Sequence, residues 1–144
     1  MRYLLLVSHG EFAAGLKTSI AMFAQDKIGD VIANGLRDVM STDEFEHHFR
    51  QSLSHLKEED RVIVLADIIG GSPLTAACKV LDELGYLEDA IVLGGMNLPM
   101  AINAVVMKDM LDGQEFVKTV LGEAGAALRE LDVVSSEDEL DDDI

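Results

Sequence analysis

The chain has 144 residues, 49% of them hydrophobic, and a formal net charge of −16 from 27 acids against 11 Lys and Arg. That length suits one domain able to bury about 70% of its unfolded-chain surface, and the acidity disfavours nucleic acid and anionic membranes as partners. One cysteine, Cys78, excludes a disulfide framework and suits a reducing compartment, so the cytoplasm is the expected location.

Tryptophan is absent and aromatics are 5% of the chain, so the core must rest on Leu, Val, Ile, Met and Ala. Six acids crowd into residues 135–144, and without them the rest still carries −10. A basic protein partner would be steered toward such a surface, although the charge serves solubility equally well.

Met1-Arg2-Tyr3-Leu4-Leu5-Leu6-Val7 is an apolar run too short for a membrane span and without a small-residue cleavage site. It reads as a first strand ending at Ser8-His9-Gly10. Phe12, Leu16, Ile20 and Phe23 then recur at helical spacing. Residues 28–35 are short and partly β-branched, a second strand. Ser41 and Glu44 form a capping-box pattern before Phe45, Phe49, Leu53 and Leu56 on one helical face. Residues 61–67 are a third apolar strand, closing in Ile68-Ile69-Gly70-Gly71-Ser72-Pro73, with Pro73 suited to the first turn of a helix. That helix turns Leu74, Ala77, Leu81 and Leu84 inward and stops at Gly85. Residues 90–93 form a fourth strand, Pro99 opens another helix, and 116–131 read as the last one. A short extended piece, 132–134, precedes the acidic tail at 135–144, which is expected to be disordered.

Strands alternating with helices predict an α/β fold with a mainly parallel open sheet. The continuous apolar strands require helices on both faces. A strand order of 2-1-3-4 would bring the carboxyl ends of strands one and three together at the switch point, where ligands bind in such sheets. His9 and Asp67 would meet there. A neutral imidazole held in one orientation is a nucleophile, and a carboxylate on one ring nitrogen leaves the other nitrogen's lone pair facing outward. Gly70, Gly71 and Ser72 supply backbone N–H groups and a hydroxyl at a helix start, which is what phosphate oxygens require. From spacing alone, this phospho-acceptor reading and a merely structural strand-end histidine stand equally open.

Three segments carry a resemblance. Ser8-His9-Gly10, Asp67-Ile68-Ile69-Gly70-Gly71-Ser72-Pro73 and Gly95-Met96-Asn97-Leu98-Pro99-Met100 are similar to three signatures of the mannose-family IIA components of the sugar phosphotransferase system, in the family's order and spacing. The resemblance covers about residues 1–131, giving a IIA domain at 1–134. It implies that His9 accepts a phosphoryl group from the histidine-containing carrier HPr and passes it to a histidine of a IIB partner, with membrane components IIC and IID further downstream. It also implies Asp67 on the inner ring nitrogen, the Gly70-Gly71-Ser72 loop on the phosphate, and Asn97 at the partner rim. Family members are homodimers whose carboxyl-terminal strand pairs across subunits, a role for 132–134. No cofactor or metal is implied. With the chain stopping at the acidic tail, IIB is expected to be a separate polypeptide.

The remaining chemistry-bearing residues have plainer explanations. His47, His48 and His55, read as helical, lack the four-residue spacing of a metal pair. Cys78 reads as a core filler, Lys79 and Lys108 as solvated, and Met96 and Met100 as gap-fillers that could touch a partner. A Ser72-His9-Asp67 hydrolase is the rival of a different class, but Leu74 stands where G-x-S-x-G needs its last glycine. A receiver-like module lacks its acid cluster after strand one. A phosphodonor for dihydroxyacetone kinases is the nearest relative reading; the Gly-Gly-Ser-Pro and Asn-Leu-Pro-Met elements favour the transporter branch.

Overall fold

The computed structural model describes residues 1–134. Four strands, β1 (Arg2–His9), β2 (Val31–Leu36), β3 (Arg61–Ala66) and β4 (Ile91–Leu93), form one sheet in the order β2-β1-β3-β4, and all three pairings are parallel. Five α-helices connect and cover them: α1 (Phe12–Phe23), α2 (Thr42–Ser52), α3 (Ser72–Leu84), α4 (Leu98–Met107) and α5 (Gly113–Ala126).

Because successive strand side chains point to opposite faces, the apolar run of β1 feeds two cores. Leu4 and Leu6, with Ile63, Leu65 and Leu93, pack beneath Leu16 and Ile20 of α1, Ala101 and Val105 of α4 and Phe116 and Val120 of α5. Leu5 and Val7, with Val62, Val64 and Ala66, pack against Phe45 and Phe49 of α2 and Ala77, Val80 and Leu81 of α3. Each fully buried Leu or Phe contributes about 1.5–3 kcal/mol relative to an exposed one, so this two-sided burial is what holds the strand ends in place.

The local signals acted as their chemistry requires. Ser41 Oγ accepts from the Glu44 N–H at 3.1 Å, capping α2. Gly85 takes the left-handed conformation at the end of α3, with φ 85°.

Several boundaries and faces differ from those expected on sequence. β2 starts at Val31 rather than Ile28, because Gln25–Asp30 form a 3-10 helix. Its last residue, Asp30, is held by the Lys108 ammonium at 2.9 Å. Lys108 is not solvated: its side chain is fully buried, and its Nζ also lies 3.0 Å from Asp109 Oδ2. Phe12 and Phe23 are each 46% exposed, and the inward face of α1 is Ala13, Leu16 and Ile20. Leu84 likewise faces outward. Met96 and Met100 are buried in the core and present nothing to a partner. His55 lies in a turn beyond α2, edge-on to Tyr3. The last helix begins sooner than expected, since Asp112 caps it by accepting from the Gly113 N–H, and it ends at Ala126 rather than Leu131.

The expected edge strand at 132–134 does not form in the single chain. Asp132 Oδ1 accepts from the Val134 N–H at 3.2 Å, folding the segment into a turn, and no sheet edge takes it up. The expected disordered tail at 135–144 lies outside the described residues. Among the described residues, no helix is long and apolar enough to cross a membrane.

Candidate functional site

The site is built where β1 and β3 end side by side. The β1–β3 register pairs Val7 with Ala66, so His9 and Asp67 emerge together from the carboxyl edge of the sheet. Asp67 Oδ2 accepts from the His9 backbone N–H at 2.9 Å and lies 2.8 Å from ring Nδ1. Its other oxygen, Oδ1, accepts from the Ile68 N–H at 2.9 Å. Burial pulls the Asp67 carboxyl up, but the His9 backbone N–H, the His9 ring and the Ile68 N–H together outweigh it and hold the group below the usual carboxylate range. Asp67 is therefore ionised at neutral pH and accepts only. In a neutral imidazole Nδ1 then carries the ring proton and the lone pair lies on Nε2. The His9 side chain is 48% exposed and that of Asp67 17%, so the imidazole faces solvent while the carboxylate that holds it is largely covered.

The neighbouring loops are shaped to this pair. Ser8, fully buried, accepts from the Ala13 N–H at 2.8 Å through its Oγ and so ties the residue before His9 to the first turn of α1. Gly10 donates its N–H to Leu36 O at 2.7 Å, joining the loop after β1 to the end of β2. Gly35 makes that approach possible, since a Cβ there would sit 1.9 Å from Gly10 O. On the other side, Gly71 opens α3 against the imidazole: a Cβ at this position would lie 2.8 Å from His9 Cε1. Pro73 lies in the first turn, so the positive end of α3 starts beside the ring. Gly70 and Ser72 are exposed on either side of Gly71.

Of the residues singled out in the sequence, the fold brings His9, Asp67 and the Gly70-Gly71-Ser72 loop together. Asn97 holds two helices in place. Its Oδ1 accepts from the Met100 N–H at 2.8 Å, capping α4, and its Nδ2 donates to Ala124 O of α5 at 3.2 Å. Among the described residues no hydrogen bond joins Ser72 to His9, so the hydrolase arrangement lacks its nucleophile–base contact. Cys78 is half-buried, and burial raises its thiol pKa. Among the described residues no cluster of three or more His, Cys, Asp or Glu could hold a metal ion.

Two residues near the site, Glu11 and Arg37, were not singled out in the sequence. Arg37 follows the last residue of β2, and its Nε lies 3.0 Å from Glu11 Oε1, two residues beyond His9. The signal was available, because a 2-1-3-4 order puts whatever follows strand two beside the residue that ends strand one.

A doubly wound α/β domain with a solvent-facing histidine gripped by a carboxylate at its switch point is the class of protein defined by this geometry. The chain belongs to the family described as the PTS system fructose IIA component, whose sequence model matches residues 3–121. It is thus a IIA component of a sugar phosphotransferase system. The fructose-specific EIIA component of Bacillus subtilis is 27% identical over 107 residues, covering 74% of this chain and 70% of that protein. The IIA protein associated with the fucose utilization operon of Streptococcus pneumoniae is 30% identical, with a TM-score of 0.73 over 90% of this chain and 92% of that one. The mannose/sorbose-specific IIA subunit of Enterococcus faecalis is 25% identical, with a TM-score of 0.72 over 91% and 95%.

Proposed function

We propose that His9 is the phosphoryl-carrying residue of this IIA component, loaded by HPr and unloaded by a IIB protein. The observation that carries this reading is the 2.8 Å contact between His9 Nδ1 and Asp67 Oδ2. With Nδ1 protonated and occupied, the Nε2 lone pair attacks phosphorus on the donor's phosphohistidine. An N–P bond forms at Nε2 as the donor's N–P bond breaks, and the donor imidazole keeps that electron pair. The Nδ1 proton stays where it is, and the positive charge that Nε2 substitution places on the ring is balanced by Asp67. Transfer to a IIB histidine repeats the exchange with this chain as donor. Phosphoryl transfer of this kind is mostly positioning and charge compensation. The opening of α3 at Gly71 and Ser72 supplies N–H groups and a positive dipole end for the oxygens.

Ile68 and Ile69, 54% and 76% exposed beside Asp67, offer apolar surface for a protein partner rather than a pocket for a small substrate. Asn97 would serve the partner rim by holding the α4 end in place. A second copy of the chain, supplying an edge for 132–134 to pair with, would make the homodimer. Incubation with phosphoenolpyruvate, enzyme I and HPr should place one acid-labile, base-stable phosphate on the protein. His9→Ala should take up none, whereas single changes of His47, His48 and His55 should leave it intact. Phosphate persisting on His9→Ala would sink the assignment.

A further inference from the structure

Phosphorylating His9 brings a phosphoryl group of charge about −2, only half offset by the positive ring, to a rim that is already acidic. Asp67 touches the ring, Glu11 lies two residues on, and Asp38 lines the same crevice as His9. That crevice, of about 350 Å³, is formed by His9, Gly10, Leu36, Arg37, Asp38 and Met40. A second one, which shares Gly10 with the first, is lined by Glu11, Arg37 and His48 among others. Arg37 lines both, and among the described residues it is the one Lys or Arg that lines either.

The backbone fixes where Arg37 starts. His9 is in register with Leu36, and the Gly10 N–H to Leu36 O bond at 2.7 Å locks the two strand ends together. The guanidinium meets Glu11 Oε1 through Nε at 3.0 Å, in a pair whose members are 68% and 70% exposed. An exposed pair of this kind is weakly held, and a guanidinium has further N–H donors in a planar fork suited to phosphate oxygens. Glu11 does not depend on Arg37 either. It sits at the N-cap of α1, where the helix dipole favours a carboxylate, and its side chain makes no capping hydrogen bond.

We propose that Arg37 is a phosphoryl-binding cation held in reserve by Glu11. In the unloaded protein it pairs with Glu11; when His9 is loaded, it exchanges that carboxylate for the phosphoryl oxygens across the shared crevice. The proposal rests on His9 being the loaded residue. It makes Glu11 a competitor of the phosphoryl group, so the two side chains have opposite effects on the loaded state.

The test is the equilibrium of phosphoryl exchange between phospho-HPr and the full chain, read as the loaded fraction in wild type, Arg37→Gln, Arg37→Lys and Glu11→Gln. An equilibrium position does not depend on how well the partners dock, so it isolates the loaded state. Arg37→Gln should move the equilibrium toward phospho-HPr by about threefold at low salt, with a smaller effect at about 1 M salt. Arg37→Lys should keep part of the wild-type value, and Glu11→Gln should move the equilibrium the other way. An Arg37→Gln protein that loads to the wild-type level would overturn the role of Arg37 while leaving His9 in place. A wild-type protein that takes no phosphate at all would defeat the His9 reading and this proposal with it.

Discussion

One oxygen of Asp67 holds both the main chain and the ring of His9: Oδ2 accepts from the backbone N–H at 2.9 Å and faces Nδ1 at 2.8 Å. The imidazole is thereby referenced to the end of its own strand rather than left to rotate. Asp67→Asn keeps the size and one acceptor but loses the charge that selects the tautomer. Phosphoryl uptake from phospho-HPr should slow on the order of 100-fold, the scale at which misplacing a reacting group is felt. Circular dichroism should stay native. Stopped-flow or quench-flow transfer at unchanged rate would remove the orienting role.

The same carboxylate ties stability to pH. Its folded-state pKa is depressed, so its contribution is complete above the ordinary carboxylate value of about 3.9 and is lost as pH falls through the lower folded value. The stability gap between wild type and Asp67→Asn, measured by urea unfolding, should be widest near neutrality and narrow below about pH 4. A gap that stays constant down to about pH 2 would mean that charge is not what Asp67 contributes.

Gly71 separates a conformational requirement from a contact. Its φ of −81° and ψ of 160° suit any residue, yet an added Cβ would lie 2.8 Å from His9 Cε1. Gly71→Ala should therefore fold with little change in melting temperature while pushing the ring out of line and lowering transfer by roughly tenfold or more. Thermal melts and transfer assays on one preparation check both halves. Wild-type transfer would show that the ring has room to yield.

Lys108 anchors the edge of the sheet remote from His9. Its side chain has no exposure, while its acids Asp30 and Asp109 are 23% and 44% exposed. Lys108→Met leaves carboxylates that can turn toward water and should cost about 1–3 kcal/mol. Asp30→Asn with Asp109→Asn strands a buried ammonium and should cost more, about 3–5 kcal/mol. Urea unfolding of the two variants gives the order, and the reverse order would refute the ion pair as the anchor.

Asn97 should behave as a brace. Asn97→Ala removes the α4 cap and the link to Ala124, at a cost of about 1–2 kcal/mol. His9 loading should persist at temperatures where the protein is folded. Loss of loading with unchanged stability would assign Asn97 directly to the transfer.

Much of this architecture is a local matter. The unbroken apolar strands demanded two covered faces, and Ser41, Pro73 and Gly85 marked helix ends by chemistry that needs no distant partner. The sheet order and the meeting of His9 with Asp67 followed from connecting parallel strands, and they proved correct. What failed was the placing of individual side chains, which strand connections do not fix. Lys108 looks solvated until Asp30, 78 residues away, arrives to pair with it. Phe12 and Phe23 have helical spacing but lose the inward face to Ala13, Leu16 and Ile20.

Residue types and their spacing were enough to determine the fold class and to set His9 and Asp67 at the ends of neighbouring strands, because hydrophobic period and strand connection are properties of the chain itself. Only the tertiary structure decided that Gly71 must lack a side chain, that Asn97 braces two helices, and that Arg37 shares a crevice with His9. Those are contacts between segments brought together by burying the two faces of one sheet, and spacing along the chain carries no measure of such distances.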